Sequence, residues 1–468
     1  MKVVSVCVVM LAILALQACT TRPDERGTKG EAAAPVAGSS SSIDYAAEIK
    51  RLAPLAARGD AEAEYRLGRM YDFGQGVPRD QAKAAALYQA SAAQGNADGE
   101  NNLGICYENG EGMPKDLDQA IDLFRKSAAQ GNAKAEYNLA RKYEHGSGVP
   151  LDNVEAAKWF KQSAAQGYAL AEYGLGYMYD VGSGVEHDDT LALKWYRAAA
   201  EQGDALAQNN LGTMYYSGRG VPQDTKKAMD LYRKSAVQGN AGAMNNLARV
   251  YRFGATGQSV DYKQAIFWYT QSVALDNAKA ESNLGVMYED GLGTSKDLPH
   301  AIALYRSAAA QDLGDAEANL GRLYQDGIGV DKDYAQAVAW YQAAIEQNVG
   351  DASNALGTMY GAGQGLPHDE IVAEKLFRVA VAQGSGDGLL NLAAYYFDGI
   401  SRPSDPAAAY ALAYMAAALQ DAPSNAAAIR DSMRQRLNPA QLKTAEDLIS
   451  AMALQSPIAV LDARASIN

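Results

Sequence analysis

The chain has 468 residues, beyond the size at which one hydrophobic core usually stops growing, so several domains or an extended repeat array are expected. Its formal net charge of −13 and pI of 4.9 argue against general binding to nucleic acid or to an anionic membrane surface. Apolar residues make up 48%, but 7 Phe and 4 Trp stand against 28 Tyr and alanine recurs throughout, a bias that suggests close-packed small helices.

The first element is an address. Lys2 opens a short basic region, Val3 to Leu16 is almost wholly apolar, and "LQAC" closes the stretch at Cys19. An apolar run of this length after a positive charge reads as a secretory signal and is too short for an ordinary membrane span. "LQAC" resembles the lipobox of bacterial lipoproteins, with Leu16 at −3 and Ala18 at −1, and Gln17 is a less usual occupant of −2. The resemblance implies that residues 1–18 are removed and that Cys19 is diacylated as the first mature residue. In a Gram-negative cell Thr20 after the cysteine implies sorting to the outer membrane, facing the periplasm. Cleavage removes only Lys2 among the charged residues, leaving 41 Lys plus Arg against 55 Asp plus Glu, a mature charge of −14. Residues 19–42, rich in charge, Pro, Gly and Ser without apolar periodicity, are expected to form a disordered tether spanning on the order of 25 Å.

Residues 43–58 read as a lone capping helix. From 59 to 420 the chain repeats every 36 residues, with starts at Gly59, Gly95, Gly131, Gly167, Gly203, Gly239, Asp276, Asp312, Asn348 and Gly384 and one extra residue in the sixth repeat, within "FGATGQSVD". A period in this range signals a solenoid. The motif "GQGVPRD" of residues 74–80 looks alone like a phosphate-binding turn, but it recurs in eight versions, among them "GEGMPKD", "GSGVPLD" and "GIGVDKD". Eight copies fit structural turns: glycines at left-handed backbone positions and an aspartate capping the next helix. Asp116/Gln119, Asp152/Glu155, Asp261/Gln264 and Asp333/Gln336 have the spacing of a reciprocal capping box.

Each repeat therefore reads as helix A, turn, helix B. Helix A carries a leucine column from Leu67 and Leu103 to Leu392 and a tyrosine column from Tyr71 and Tyr107 to Tyr396, four residues later on the same face. Between them stands Gly or Ala. Glycine inside a helix costs about 1 kcal/mol relative to alanine, so its recurrence implies close approach of helix B, whose pattern is shown by Ala228, Leu231, Tyr232 and Ala236.

"AEYNLARKYEHGSGVPLDNVEAAKWFKQSAAQG" and its nine relatives resemble Sel1-like repeats, relatives of tetratricopeptide repeats. The resemblance covers residues 59–420 and implies an all-α, right-handed α/α solenoid of about ten helix-turn-helix repeats that serves as a protein-interaction scaffold and carries out no reaction. Residues 421–468 are expected to close it with two helices, separated at Asn438 and Pro439, and a tail.

Nothing in the chain has the spacing of a catalytic or metal centre. His187 and His368 sit in the variable slot of the turn, His145 and His300 are isolated, and neither H-E-x-x-H nor C-x-x-C occurs. Cys7 falls in the signal and Cys19 at the lipid site, so Cys106 remains alone in a column otherwise rich in Met, where it reads as an apolar filler. Some Cys-rich Sel1-like proteins bind or hydrolyse β-lactams, but their paired cysteines are absent, as are S-x-x-K and G-x-S-x-G. No cofactor and no enzyme activity are expected.

One polar column could carry recognition. Asn102, Asn138, Asn210, Asn246, Asn283, Asn319 and Asn391 precede the leucine of helix A. Their amides could pair with the backbone of an extended peptide or bond to a neighbouring repeat. The adjacent column holds Tyr65, Tyr137 and Tyr173 in the first, third and fourth repeats and Asn101, Asn209 and Asn245 in the second, fifth and sixth; the aromatic residues could meet sugar faces or pack on the next helix. The expected role is a scaffold for envelope proteins or peptides, held to the membrane only by its lipid. The alternatives are assembly or localisation of an exopolysaccharide export complex, and a glycan, peptidoglycan or β-lactam-related protein.

Overall fold

A computed structural model describes residues 44–465, so the signal and tether expected over residues 1–42, with Cys19, lie outside the described residues. Among the described residues there are 24 helices and no strand, only an isolated bridge between Ala255 and Gln258 in the turn that absorbs the extra residue of the sixth repeat. The protein is an all-α solenoid. Two compact units share the chain, one holding the N-terminal helix Tyr45–Ala56 and repeats 1–5 up to residue 240, the other repeats 6–10 and the closing helices.

Local chemistry sets the repeat. Helix A of repeat 1, Ala61–Phe73, starts where Asp60 accepts the Ala63 N–H at 2.8 Å and ends at Gly74, whose φ of 68° is the left-handed cap. Asp80 then caps helix B, Gln81–Ala93, while its own N–H donates to the Tyr71 carbonyl at 2.9 Å and closes the turn. The expected capping boxes form only their aspartate half: Asp116 accepts from the Gln119 backbone, and the same holds at Asp152, Asp261 and Asp333. The reciprocal pair is complete at Asn438 and Gln441. The second turn glycine has a further reason to lack a side chain. A Cβ on Gly112 would stand 2.2 Å from the Gln81 carbonyl oxygen, because each turn rests on the start of the preceding helix B.

Within a repeat, the glycine of helix A meets an aromatic ring of helix B. A Cβ at Gly68 would lie 2.8 Å from the Tyr88 ring, and the same clash recurs between Gly104 and Phe124, Gly212 and Tyr232, and Gly285 and Tyr305. Repeat 3 has Ala140 at this position, and repeat 4 has Gly176 against the Tyr196 ring; Gly174, two residues earlier, meets the Phe160 ring of repeat 3 as well. Burying such a ring contributes roughly 1.5–3 kcal/mol, which offsets the helix cost of glycine. Buried Ser91 completes the pairing by donating to the Ala61 carbonyl at 2.6 Å, as Ser127, Ser163 and Ser235 do in their repeats.

Repeats are joined by polar clamps as well as by apolar surface. The Arg197 guanidinium of repeat 4 donates to the Tyr215 hydroxyl of repeat 5 at 3.2 Å, and Arg306 reaches Tyr324 at 2.9 Å in the second unit. Arg322 Nη2 of repeat 8 holds both oxygens of Glu289 at 2.8 Å, and the Tyr305 hydroxyl donates to the same carboxylate.

The end of the chain holds three closing helices rather than two: Ala426–Gln435, Pro439–Met452 and a further helix, Pro457–Ala465. The first two cover the outer face of Pro406–Ala417, helix B of repeat 10, which is buried on every side, and the third packs on Pro439–Met452 and on Glu370–Ala382 of repeat 9.

Candidate functional site

The face built by successive A helices carries the candidate site. In the first unit Tyr65 and Arg69 of repeat 1, Asn102 and Ile105 of repeat 2, and Lys134, Tyr137 and Asn138 of repeat 3 converge on one cleft, joined by Tyr168 and Leu170. Its free volume of about 70 Å³ is far below the roughly 300–1,000 Å³ of small-molecule and cofactor pockets. It has room for a side chain. Tyr137 and Tyr168 meet edge to face with centroids 5.4 Å apart and form an apolar wall.

The asparagine column divides by burial. Asn210 is 1% exposed, accepting from Asn209 at 3.1 Å and donating to the Tyr196 hydroxyl at 3.2 Å, and Asn246 is buried as well. Asn102, Asn138, Asn283, Asn319 and Asn391 are half-buried. Several of these bridge repeats: Asn138 donates to Asn101 at 2.9 Å, Asn283 to Asn245 at 3.0 Å, and Asn391 to Asn354 at 2.7 Å. The bridge to the neighbouring repeat is thus the contact most of these amides make, and Asn102 and Asn138 also line the cleft. Of the tyrosine column, Tyr65 and Tyr137 reach the cleft, whereas Tyr173 is 2% exposed and packs on Tyr196.

The remaining candidates are structural. Cys106 lies at the cleft floor, 4% exposed, and burial pushes its thiol up to about 12, away from thiolate chemistry. His187 and His368 stand in their turns beside Asp189 and Glu370, and His300 stacks on Tyr288. Among the described residues no three His, Cys, Asp or Glu side chains group as a metal site.

A second cavity, of 550 Å³, was not visible in the sequence. It lies between the last repeat and the closing helices, lined by Tyr396, Arg402, Asp405, Gln441, Thr444 and Arg464. Its cations are already engaged: Arg402 with Glu374 and Tyr396, Arg464 with Asp405 at 2.8 Å. The Pro at 457, preceded by Gln-Ser, was the signal for the helix that completes this wall.

Such an array of helix pairs with a shallow groove defines a helical-repeat interaction scaffold. The Sel1 repeat model matches ten consecutive segments from residues 61–96 to 386–421, and the chain belongs to the Sel1 repeat family. It is similar to c5321, a protective antigen present in uropathogenic Escherichia coli strains displaying an SLR fold, with 32% identity over 90% of each chain and a TM-score of 0.65. A Sel1 repeat protein from Oxalobacter formigenes is 32% identical over 52% of this chain and 96% of its own, with a TM-score of 0.49. Among curated proteins none matches in sequence.

Proposed function

We propose that the protein is a non-enzymatic scaffold of the bacterial cell envelope, held by a lipid on Cys19, that captures segments of other envelope proteins in the groove of its A helices. Sel1 repeats act as protein-binding scaffolds, and the family supplies that much. The observation that carries the finer reading is the cleft of repeats 1–3, where aromatic walls, asparagine amides and charged tips converge around a volume suited to one side chain. Such shallow slots give selectivity by many weak contacts along an extended groove. Outer-membrane sorting and the tether rest on "LQAC", Thr20 and the composition of residues 19–42.

Crosslinking in intact cells tests this. A photoreactive phenylalanine analogue at Ile105 in the cleft is compared with one at Val154, which is 68% exposed on a helix B. Protein crosslinks specific to position 105 support the groove, and their identity decides between a general scaffold and assembly of a polysaccharide export complex. Equal labelling from both positions, or only glycan products at 105, overturns it.

A further inference from the structure

The chain carries a large excess of acid, 55 Asp plus Glu against 42 Lys plus Arg, yet the cleft presents two cations that pair with no carboxylate among the described residues. Arg69 lies over the Phe73 ring, 5.7 Å from its centroid, and lines the cleft beside Tyr65. Lys134 lines the same cleft, and neither it nor Arg69 joins any ion pair among the described residues. The two carboxylates of the lining are engaged: Asp72 receives the Tyr88 hydroxyl at 3.5 Å and stands 4.0 Å from Arg79, and Glu111 has a partner of its own. Ile105, Leu170 and the Tyr137–Tyr168 wall supply apolar surface beside these cations. Asn138 spends one amide hydrogen on Asn101, and among the described residues its side-chain oxygen accepts no hydrogen bond.

Accepting that the groove reads protein segments, we propose that this cleft selects an extended peptide that is both acidic and apolar. An aliphatic or aromatic side chain enters against Tyr137, Tyr168, Ile105 and Leu170; a backbone N–H donates to the Asn138 side-chain oxygen; and a carboxylate one or two residues away meets Arg69 and Lys134. Charge complementarity fixes the direction of this preference. In a protein of charge −13, long-range attraction favours basic partners, so an acidic one is held only where local cations stand unpaired beside an apolar slot.

The test uses the full mature chain and four fluorescein-labelled nonapeptides of Gly and Ser with Leu-Asp, Leu-Asn, Leu-Lys or Ser-Asp at the centre, read by fluorescence anisotropy. The expected order is Leu-Asp tightest, with Leu-Lys weaker by about threefold to tenfold, the range of two partly exposed ion pairs. Arg69→Glu with Lys134→Glu should invert the Asp and Lys peptides, and Arg69→Gln with Lys134→Gln should make them equal. Both residues are half-buried at the surface, and circular dichroism of each variant confirms that the helices persist. If all three Leu peptides bind alike and Ile105→Asp abolishes them, the peptide-reading groove stands and the acidic preference is overturned. If no peptide binds, or the charge-reversed variant keeps the wild-type order, the inference fails, while crosslinking at Ile105 judges the scaffold reading separately.

Discussion

Gly357 and Phe377 compete for one volume: a Cβ on the glycine would stand 2.8 Å from Cε1 of the phenyl ring. Phe377 is 2% exposed and Gly357 lies inside helix A of repeat 9, so neither can withdraw cheaply. Gly357→Ala gains about 1 kcal/mol of helix propensity and loses about 1–3 kcal/mol to overpacking. A net loss of about 1 kcal/mol is expected in urea unfolding. Adding Phe377→Leu should recover part of it, a coupling that independent effects would not produce.

The Arg322–Glu289–Tyr305 clamp ties repeat 8 to repeat 7. Arg322→Met leaves a carboxylate that is 9% exposed with, among the described residues, only the tyrosine hydroxyl as donor. A loss of about 1–3 kcal/mol is expected, less than for a fully buried pair because the arginine is 39% exposed. Glu289→Gln in the same chain should restore part of the stability. An unchanged denaturation midpoint in Arg322→Met would remove the clamp from the account.

A second polar series predicts a dependence on pH. In repeat 3 the Gln166 amide donates to Glu136 at 2.8 Å, and the pair recurs at Gln94–Glu64, Gln130–Glu100 and Gln202–Glu172. Burial raises the pKa of each of these four carboxyls, and the glutamine bond lowers it by less. The folded chain therefore binds these protons more tightly than the unfolded chain, and stability falls as pH rises through the window just above the ordinary 4.5. Repeat 5 already holds the neutral version, with Gln238 donating to Gln208 at 2.9 Å. Glu136→Gln should gain stability at pH 7 and show no gain at pH 4. A loss of the same size at both pH values would contradict this.

Asn210 and Asn138 occupy the same column and should answer differently. Asn210→Ala removes a buried partner of Tyr196 and Asn209 and should cost about 1–2 kcal/mol of stability. Asn138→Ala should change stability less and weaken capture at the cleft. Melting curves and crosslinking yield at position 105 separate the two effects.

If Cys19 carries the proposed lipid, Cys19→Ala should abolish incorporation of labelled palmitate and release the protein from the membrane fraction. Retention of label in that variant, or absence of label in the wild type, would overturn lipidation at Cys19.

The fold was legible because its causes repeat. Ten leucines, ten tyrosines and eight turn motifs at one spacing leave helix A, turn and helix B as the only reading, and the intrahelical glycines announced a close approach before any partner was known. Which partner met them was less visible, since the ring of Tyr88 or Phe124 lies about 20 residues away in sequence and looks like any core aromatic. The capping boxes were half-right because spacing shows that a Gln can reach back, whereas its rotamer is decided by solvent and neighbours. The cleft was partly legible: Asn102, Asn138, Tyr65 and Tyr137 stood out as columns, but Arg69, Ile105 and Lys134 belong to no pattern. Departure from a repeat is where its surface becomes specific, and a periodic reading averages that away.

The clamps described here reach no further than an adjacent repeat: Ser91 to Ala61 within one, Arg306 to Tyr324 across a single step. Outside the closing helices, where Arg378 of repeat 9 pairs with Asp462, the contacts among the described repeats are held between neighbours, so a chain pulled from its ends is not secured as one block. It should instead give way piece by piece, each released repeat of 36 residues paying out about 12 nm of chain while its neighbours stay folded. A force sensor or optical trap would record this as a staircase of near-equal steps, the mechanical signature of a tether that yields without breaking.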